Sequence, residues 1–362
     1  MPMQLPRRFY CGTQELALEH ELVFRQQWLC VGHASQWEQG RSFRRVTIGN
    51  ENLLVIREEE NWFAVHNSCR HRGTQLCDAK SGAITQRRLV CPYHAWSYDL
   101  NGNLVTAPNM KDDPEFDPAD YPLAQVEVDC WNQLVFVRLA PGAETLADTL
   151  QPLAMRLSNW KLGQLHLATE LDYEIAANWK IVFQNYSECY HCPTVHPELA
   201  RLTPYRSSIN DLEDGAILGG PMSLAEGFET VSRGGKLVAI AMPGLTRQQS
   251  QHVYYYTVFP NLFVSAHPDY VMLHILLPVG PASTAASCMF LTVESGVSPA
   301  EIEPATNLWD EINRQDWAIC EQTQIGISSP AFKPGPYSGL ESMVAAFDQH
   351  YRSVMEQPTA DL

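Results

Sequence analysis

The apolar positions of the first part of the chain repeat with two different periods. Residues 13–27 carry apolar side chains at helical spacing, which predicts a helix close to the N-terminus. From residue 42 to residue 138, short β-type runs alternate with turn residues, and Asp99 to Gly102 is typical of a hairpin turn. This pattern predicts a small all-β domain. The predicted strands, including one that precedes this domain, are residues 28–32, 43–48, 53–56, 62–66, 89–91 and 134–137.

The remainder of the chain combines longer strands with helices. This order predicts a second domain in which helices cover an antiparallel sheet, so the predicted fold class is α+β. The predicted organisation is an N-terminal segment (1–40) that packs on the second domain, an all-β domain (41–145) and the second domain itself (146–362). The predicted strands are residues 165–174, 253–263, 270–277 and 288–294, and the predicted helices are residues 179–190, 309–323 and 343–355.

Composition and charge limit the class of protein. The 362 residues are 45% hydrophobic and 18% charged, as in ordinary globular proteins that have enough chain for two domains. The formal net charge of −16 argues against a nucleic-acid partner, because phosphates need a basic surface. No run is long and apolar enough to span a bilayer, and residues 1–10 lack the apolar stretch of a signal peptide, so we expect a cytoplasmic protein.

A first candidate metal site lies in the predicted all-β domain. The ten cysteines are scattered, which favours metal ligation over a disulfide framework in such a chain. Each of two motifs provides one thiolate and one imidazole. They are C-x-H at Cys69 and His71 and, after nineteen intervening residues, C-x-x-H at Cys91 and His94. They suit a two-iron cluster in which the cysteines bind one iron and the histidines the other. A structural zinc site is the alternative.

A second candidate metal site follows the helix predicted at residues 179–190. Glu188 and His191 are three positions apart and share a face of that helix. Pro193 disfavours further helix, so that His196 can turn back towards the same point. Two converging imidazoles predict a site with two histidines and one carboxylate, which is typical of non-haem iron.

Asp316 is the predicted carboxylate of this second site. It lies on an apolar helical stripe, where a buried aspartate needs a cation, whereas Asp310 and Glu311 lie off the stripe and are expected in solvent. A surface aspartate on a helix of different phase is the alternative. The helix is expected to begin with a capping box at Ser298 and to kink or restart after Pro304. The predicted stripe consists of Leu308, Ile312, Asp316, Ile319 and Thr323.

Both sets of residues resemble the Rieske-type non-haem iron oxygenases. The segments from Cys69 to Gly73 and from Cys91 to Gly102 are similar to the cluster-binding loops of that family, although Ala95 stands where the family more often has glycine. The resemblance extends over nearly the whole chain, and the spacing of Asp316, Glu321 and Gln324 is also that of the family. It implies an N-terminal Rieske domain and a C-terminal helix-grip catalytic domain. The implied ligands of the [2Fe-2S] cluster are Cys69, His71, Cys91 and His94, and those of a mononuclear Fe(II) are His191, His196 and Asp316.

The resemblance also implies roles for residues beside the iron and for partners. Glu188 corresponds to a carboxylate that bridges to a cluster histidine of the neighbouring subunit, which implies a head-to-tail homotrimer. Asn185 matches an asparagine close to the iron, and Gln184 departs from the acidic residue often found beside it. The implied partners are an NAD(P)H-dependent reductase, O2 and a small-molecule substrate.

The run from Glu188 to Pro193 is similar to family members that act on quaternary ammonium compounds such as glycine betaine, proline betaine and carnitine. The segments from Tyr254 to Tyr256 and from His267 to Tyr270 resemble the same branch. This implies hydroxylation or N-demethylation of such a compound. Two of the three tyrosines share one face of a strand and would offer π-faces to a trimethylammonium group, with ordinary sheet packing as the alternative. Arg201, Arg206 and Lys236 are candidate partners for a substrate carboxylate.

Three other functions compete with this interpretation. Within the oxygenases, the substrate can instead be an aromatic acid that is hydroxylated or O-demethylated. A Rieske electron-transfer protein without oxygenase activity would explain the first metal site alone. A binding module stabilised by zinc would need no redox chemistry at all.

Overall fold

The chain folds into two compact units. The computed structural model describes residues 1–356. One unit spans Trp28–Leu146, and the other joins Met1–Gln27 to the chain that begins at Ala147. The predicted boundary at residue 40 differs from this division, because Leu29–His33 forms a strand that pairs with Leu134–Arg138.

The smaller unit, all of whose residues are described, is built from ten antiparallel strands in three sheets. The sheet orders are β1-β10-β9, β4-β3-β2-β5 and β6-β7-β8. In the second sheet, β3 has both neighbours, and its central residues Leu53, Leu54, Val55 and Ile56 are fully buried. The strands are β1 (Leu29–His33), β2 (Arg41–Ile48), β3 (Glu51–Glu58), β4 (Asn61–His66), β5 (Ser81–Ala83), β6 (Leu89–Val90), β7 (Ser97–Tyr98), β8 (Leu104–Thr106), β9 (Glu127–Trp131) and β10 (Leu134–Arg138).

The predicted hairpin turn joins β7 to β8. The Oδ1 atom of Asp99 accepts hydrogen bonds from the backbone N–H groups of Asn101 and Asn103, at 3.0 and 2.8 Å. Gly102 has φ +90°, and a Cβ at this position would lie 3.2 Å from side-chain atoms of Leu123 and Val65. Glycine is therefore required here both by the backbone conformation and by the close packing.

The larger unit is organised around one six-stranded antiparallel sheet of order β11-β16-β15-β14-β13-β12. The single strand predicted at residues 253–263 is two strands, which are joined by a turn at residues 259–261. Pro260 lies in that turn, because proline has no N–H to donate to a strand pairing. The strands are β11 (His166–Ile175), β12 (Ile217–Ser223), β13 (His252–Val258), β14 (Leu262–Ala266), β15 (Tyr270–Gly280) and β16 (Ser283–Thr292).

Helices cover this sheet, and the predicted α+β fold class is confirmed. Helix α7 packs against α4 and β11. Among the described helices, none combines the length and the apolar composition that crossing a membrane requires. The helices are α1 (Arg8–Cys11), α2 (Thr13–Glu19), α3 (Leu146–Arg156), α4 (Trp179–Tyr186), α5 (Cys192–Val195), α6 (Pro197–Leu202), α7 (Pro299–Ser328) and α8 (Ser342–Met355).

Helix α7 runs unbroken through Pro304, so the predicted kink or restart was wrong. The capping box at Ser298 is present as predicted, with Glu301 as its reciprocal partner. Pro304 removes only one intrahelical hydrogen bond, close to the start of a 30-residue helix. Ile302 and Ala305, on either side of it, are fully buried, and their burial offsets that local loss.

Candidate metal centres

The smaller unit brings the four predicted cluster ligands to the tips of two neighbouring loops. Cys69 follows β4 and Cys91 follows β6, and these two residues are 2% and 3% exposed. His71 and His94 are exposed, and their ring centroids lie 4.7 Å apart. The structure therefore forms an inner pair of thiols and an outer pair of imidazoles.

The surroundings of the thiol pair fit a two-iron cluster. Burial raises the pKa of the Cys69 thiol, although the hydroxyl of Tyr98, 3.2 Å from its Sγ, opposes this effect. Two adjacent buried thiols lose their protons only where positive charge compensates them, and metal ions supply that charge. Thiol ligands on one side and imidazole ligands on the other match a cluster whose two irons differ in ligation.

Two neighbouring residues explain details of this loop pair that the sequence left open. Trp96 stacks on His71 with ring centroids 4.9 Å apart and thereby holds the imidazole in place. Ala95 has φ +57°, in the left-handed region that favours glycine. Glycine, which the family more often has at this position, adopts this conformation without strain, whereas Ala95 adopts it at some cost in backbone energy.

The larger unit brings His191, His196 and Asp316 together. The Oδ1 atom of Asp316 lies 2.8 Å from Nε2 of His196 and 3.3 Å from Nε2 of His191. The possible ligand atoms of the three residues lie within 4.8 Å of one another. Asn185, on α4, donates from Nδ2 to Oδ1 of Asp316 at 3.1 Å. Residues from three separate parts of the chain thus meet at one point.

Hydrogen bonds on the far side of each ring set the protonation of the two histidines. Nδ1 of His191 donates to Oε1 of Glu188 at 2.5 Å, and Nδ1 of His196 donates to Oε1 of Gln315 at 2.7 Å. Each ring therefore directs its Nε2 atom at the carboxylate of Asp316, where a proton occupies the short contact and a metal ion would replace it. Two imidazole nitrogens and a carboxylate oxygen that converge in this way fit a two-histidine, one-carboxylate metal site.

The electrostatics of the site also favour a bound cation. Burial disfavours the charged form of His191, but Asp316 and Glu188 outweigh this and raise its pKa to about 10. Burial likewise opposes ionisation of Asp316, yet the two histidines lower the pKa of its carboxyl. The site therefore stabilises positive charge at its centre.

Two local expectations about this segment were wrong. Helix α4 ends at Tyr186, so Glu188 and His191 lie in the following loop and not on a helix face. The hydroxyl of Ser187 donates to the carbonyl of Phe183 at 2.7 Å and helps to end the helix. Pro193 does not end a helix but lies in the first turn of the short helix α5, where its missing N–H has no partner to lose. The hydrogen bond to Glu188, and not helical spacing, aligns His191.

The phase of α7 places Glu311 in solvent as predicted, but Asp310 is half-buried and the predicted stripe is only partly right. Asp310 accepts a hydrogen bond from the hydroxyl of Tyr173, and Glu311 pairs with Arg233, so neither belongs to the metal site. Ile319 is exposed, and the buried face beyond Asp316 continues instead through Cys320, Gln324 and Ile327. The predicted stripe was wrong after Asp316 because it continued three residues later, at Ile319, whereas the buried face continues four residues later, at Cys320.

One cysteine pair departs from the expectation that the cysteines are not paired. Cys189 and Cys192 form a disulfide that encloses Tyr190 and His191, with Cα atoms 5.0 Å apart. The other eight cysteines are free, including Cys69 and Cys91. The disulfide closes a small ring around one of the predicted iron ligands.

A cavity opens beside His191, His196 and Asp316. Its aromatic lining consists of Tyr186, Tyr255 and Trp309, and no lysine or arginine is among its described lining residues. Tyr254 and Tyr256 share one strand face, as predicted, but that face is turned away from the cavity and only Tyr255 reaches it. The interpretation that the two tyrosines of one strand face line the pocket was therefore wrong, and the alternative of ordinary sheet packing holds for Tyr254 and Tyr256.

Sequence reasoning missed three residues of this site. Gln315 precedes Asp316 directly, and Trp309 lies seven positions earlier, which is two turns of the same helix. Both could have been found from the phase of α7 once Asp316 was chosen. Tyr186 is one residue after Asn185 and carried no sequence signal.

Two family matches cover most of the chain. Residues 27–128 match the Rieske [2Fe-2S] domain, and residues 162–357 match the family described as ring hydroxylating alpha subunit (catalytic domain). The chain therefore belongs to the ring-hydroxylating alpha subunits. It is an oxygenase subunit whose cofactors are a Rieske [2Fe-2S] cluster and a mononuclear iron. These matches exclude the zinc-stabilised module and the electron carrier without a catalytic domain.

Within this class, the chain is related to two kinds of oxygenase subunit. The glycine betaine monooxygenase oxygenase subunit of Pseudomonas aeruginosa is 27% identical over 92% of this chain and 84% of its own length. That of Chromohalobacter salexigens is 29% identical over 92% of this chain and 81% of its own length. The carnitine monooxygenase oxygenase subunit of Escherichia coli K12 is 34% identical over 53% of this chain and 52% of its own length.

Solved structures show the same fold. The quaternary ammonium Rieske monooxygenase CntA, in complex with an inhibitor, has a TM-score of 0.81 and 23% identity, covering 98% of this chain and 96% of that one. Naphthalene 1,2-dioxygenase from Rhodococcus has a TM-score of 0.77 and 19% identity, covering 98% and 95%. At these identities the likeness extends to the fold alone.

Proposed function

We propose that this oxygenase subunit hydroxylates an N-methyl group of a quaternary ammonium compound, of the kind that glycine betaine, proline betaine and carnitine represent. The observation that carries the proposal is the lining of the cavity beside His191, His196 and Asp316. Three aromatic residues offer π-faces to a cation, and no lysine or arginine of the described lining repels it. The relationship to glycine betaine and carnitine monooxygenase subunits supports the same class of substrate.

The proposed residue roles follow from the contacts described above. His191 and His196 would bind iron through Nε2, and Asp316 through its carboxylate, while Cys69, Cys91, His71 and His94 would hold the cluster. When bound, the cluster supplies electrons and the mononuclear iron supplies the position at which O2 is reduced.

Three further residues position these ligands. Glu188 and Gln315 keep the protons of His191 and His196 on Nδ1, and Asn185 orients the carboxylate of Asp316. Removing one of these partners would leave the ligand in place but free to rotate.

The aromatic side chains direct the substrate towards this centre. Tyr186 and Tyr255 have ring centroids 6.3 Å apart and planes at 72°, so that they form two walls of a corner. The Nε1–H group of Trp309 donates to the hydroxyl of Tyr270 at 2.7 Å, which holds its ring as a fixed part of the lining. A trimethylammonium group in this corner would present one methyl group to the metal-binding residues. Hydroxylation of that methyl group yields a hemiaminal, which breaks its C–N bond and releases formaldehyde and the tertiary amine.

We further propose that the subunit works as a homotrimer with a separate NAD(P)H-dependent reductase. Glu188 would link the iron site to a cluster histidine of the neighbouring subunit. Its Oε1 atom already accepts from His191, and its Oε2 atom accepts from the backbone N–H of Tyr190. The carboxylate is thereby held beside the iron ligand, where it could accept one more donor.

The test is coupled oxygen consumption by the purified subunit with a suitable reductase and NADH. We expect glycine betaine, proline betaine or carnitine to stimulate NADH oxidation and to release formaldehyde in step with it. Stimulation by an aromatic carboxylate, with no response to any of the trimethylammonium or dimethylammonium compounds, would contradict the proposal in favour of aromatic-acid hydroxylation or O-demethylation. Electron uptake without any oxygenation of either class would contradict both.

A further inference from the structure

A second recess adjoins the cavity of the metal site and differs from it in charge. The recess shares six lining residues with the inner cavity, so the two adjoin. The shared residues are Ser187, Glu188, Cys189, Ser208, Asn210 and Met343. The inner cavity has no lysine or arginine in its described lining, whereas Arg206 lines the outer recess.

Arg206 has no carboxylate partner among the described residues. Its Nε atom donates to the hydroxyl of Tyr205 at 2.8 Å, and its guanidinium carbon lies 5.3 Å from the centre of that ring. Among the described residues, neither Nη group has a hydrogen-bond acceptor, and the Arg206 side chain is exposed. A guanidinium that is fixed through Nε in this way presents a fork that suits a carboxylate.

The two other cations that the sequence singled out are placed elsewhere. Arg201 stacks over the ring of Phe228 at 5.6 Å, and Lys236 pairs with Glu229 at 3.3 Å. Neither of them lines the cavity or the recess. Of the three candidates for a carboxylate partner, the structure favours Arg206.

We infer that Arg206 forms a carboxylate subsite in the outer recess and that the preferred substrate is an extended zwitterion. Its trimethylammonium group would occupy the aromatic inner cavity, and its carboxylate would reach Arg206. The inference rests on the proposed function and refines it. Because Arg206 lines only the outer recess, a carboxylate that is one methylene from the nitrogen stays in the inner cavity, beside Asp316 and away from the guanidinium. A longer chain carries the carboxylate away from Asp316 into the outer recess, where the charge of Arg206 opposes that of Glu188, which lines both spaces.

Trimethylammonio carboxylates with one, two, three and four methylene groups between nitrogen and carboxylate provide the test. For the wild-type protein we expect kcat/KM to rise with chain length, and calorimetry to show the same order of binding. Arg206→Gln should lower kcat/KM for the longer members about tenfold, mainly through KM, as expected for the loss of one charge-assisted contact at a partly solvated site. Arg206→Lys should restore part of the loss.

Two controls make the result specific. Choline, which has the same ammonium group but no carboxylate, should bind equally to wild type and Arg206→Gln. Arg201→Gln, a substitution of the same type outside both cavities, should leave the chain-length series unchanged. Equal losses for choline and for the carboxylates in Arg206→Gln would overturn the inference, because Arg206 would then act on assembly or electron transfer. A series in which the one-methylene compound is best and unaffected by Arg206→Gln would overturn it as well.

The failure of this inference is distinguishable from failure of the proposed function. If trimethylammonium compounds are oxygenated without any dependence on Arg206, only the carboxylate subsite is wrong. If none of them is bound or oxygenated by the wild-type protein, the proposed function is wrong and the subsite with it.

Discussion

Gln315 accepts a hydrogen bond from Nδ1 of His196 at 2.7 Å, although 119 residues separate them in the chain. Gln315 directly precedes Asp316 on α7, so one helix provides both a predicted iron ligand and the residue that orients another ligand. Glu188 has the corresponding relationship to His191, from a position three residues away. The two histidines of one site are thus aligned by one distant and one local partner.

Replacing Gln315 by leucine should weaken iron binding without unfolding the protein. Leucine keeps the volume but leaves the Nδ1–H of His196 without an acceptor, so that the ring loses its fixed orientation. We expect the affinity for Fe(II) to fall about 10–100-fold, the usual range for such partners. Dialysis against a competing chelator measures it. Gln315→Glu should retain most of the affinity, and Gln322→Leu, on an exposed position of the same helix, should have no effect. Unchanged affinity in Gln315→Leu would contradict this role.

Asp316→Ala should remove the mononuclear iron and abolish turnover while the cluster spectrum persists. The carboxylate provides one of the three predicted ligands, and two neutral imidazoles alone hold Fe(II) weakly. Iron analysis together with the visible spectrum distinguishes the two metal centres. Asp310→Ala is the matched control, because Asp310 contacts Tyr173 and Arg314 away from the site. Loss of mononuclear iron in the control and not in Asp316→Ala would mean that the assigned ligand is wrong.

Cys69→Ser or Cys91→Ser should each abolish the visible cluster absorption and the EPR signal of the reduced protein. Both sulfur atoms belong to the buried pair, and a hydroxyl is a poor substitute for a thiolate on iron. Cys77→Ser, in the same loop as Cys69, should keep the full signal because Cys77 is not part of the pair. An undiminished signal in either of the first two variants would exclude that residue as a ligand.

Glu188→Gln should load both metal centres but slow electron transfer between them. The amide oxygen can still accept from Nδ1 of His191, so the ligand keeps its orientation, whereas the negative charge is lost. Single-turnover oxidation of the reduced cluster, with substrate and O2 present, measures the transfer. We expect a decrease of about 100-fold or more, which corresponds to about 3 kcal/mol in the barrier. A rate close to that of wild type would refute the relay.

Lys180→Met should strongly destabilise the larger unit. Nζ of Lys180 lies 2.5 Å from Oε1 of Glu19, and the two side chains are 0% and 1% exposed. The substitution leaves the carboxylate of Glu19 buried, with Trp179 and Tyr351 as its remaining side-chain donors among residues 1–356, at an expected cost of about 3–5 kcal/mol. Urea unfolding measures the loss. The double variant Lys180→Met with Glu19→Gln removes both charges and should recover much of it. Equal destabilisation of the single and the double variant would show that the unpaired charge is not the cause.

The sequence by itself predicted the residues of both candidate metal sites and determined the class of protein. Each cysteine–histidine pair lies within one short loop, so that the proximity of its two residues depends on local geometry alone. The pairs are Cys69 with His71 and Cys91 with His94. Asp316 stood out because an aspartate on an apolar helical face needs a cation, and helical periodicity is also local. The α+β fold class followed in the same way from the order of strand and helix patterns.

The tertiary structure decided what surrounds those ligands. Three features depend on which faces of distant elements pack together. Gln315 contacts His196, Tyr255 and not its neighbours faces the cavity, and Arg206 rather than Arg201 lines the adjoining recess. A strand with three consecutive tyrosines has two faces, and only the position of α7 and α4 against the sheet makes one of them the lining of the site. Periodicity is a property of neighbouring residues, whereas the choice between two chemically similar faces is set by contacts between residues far apart in the chain.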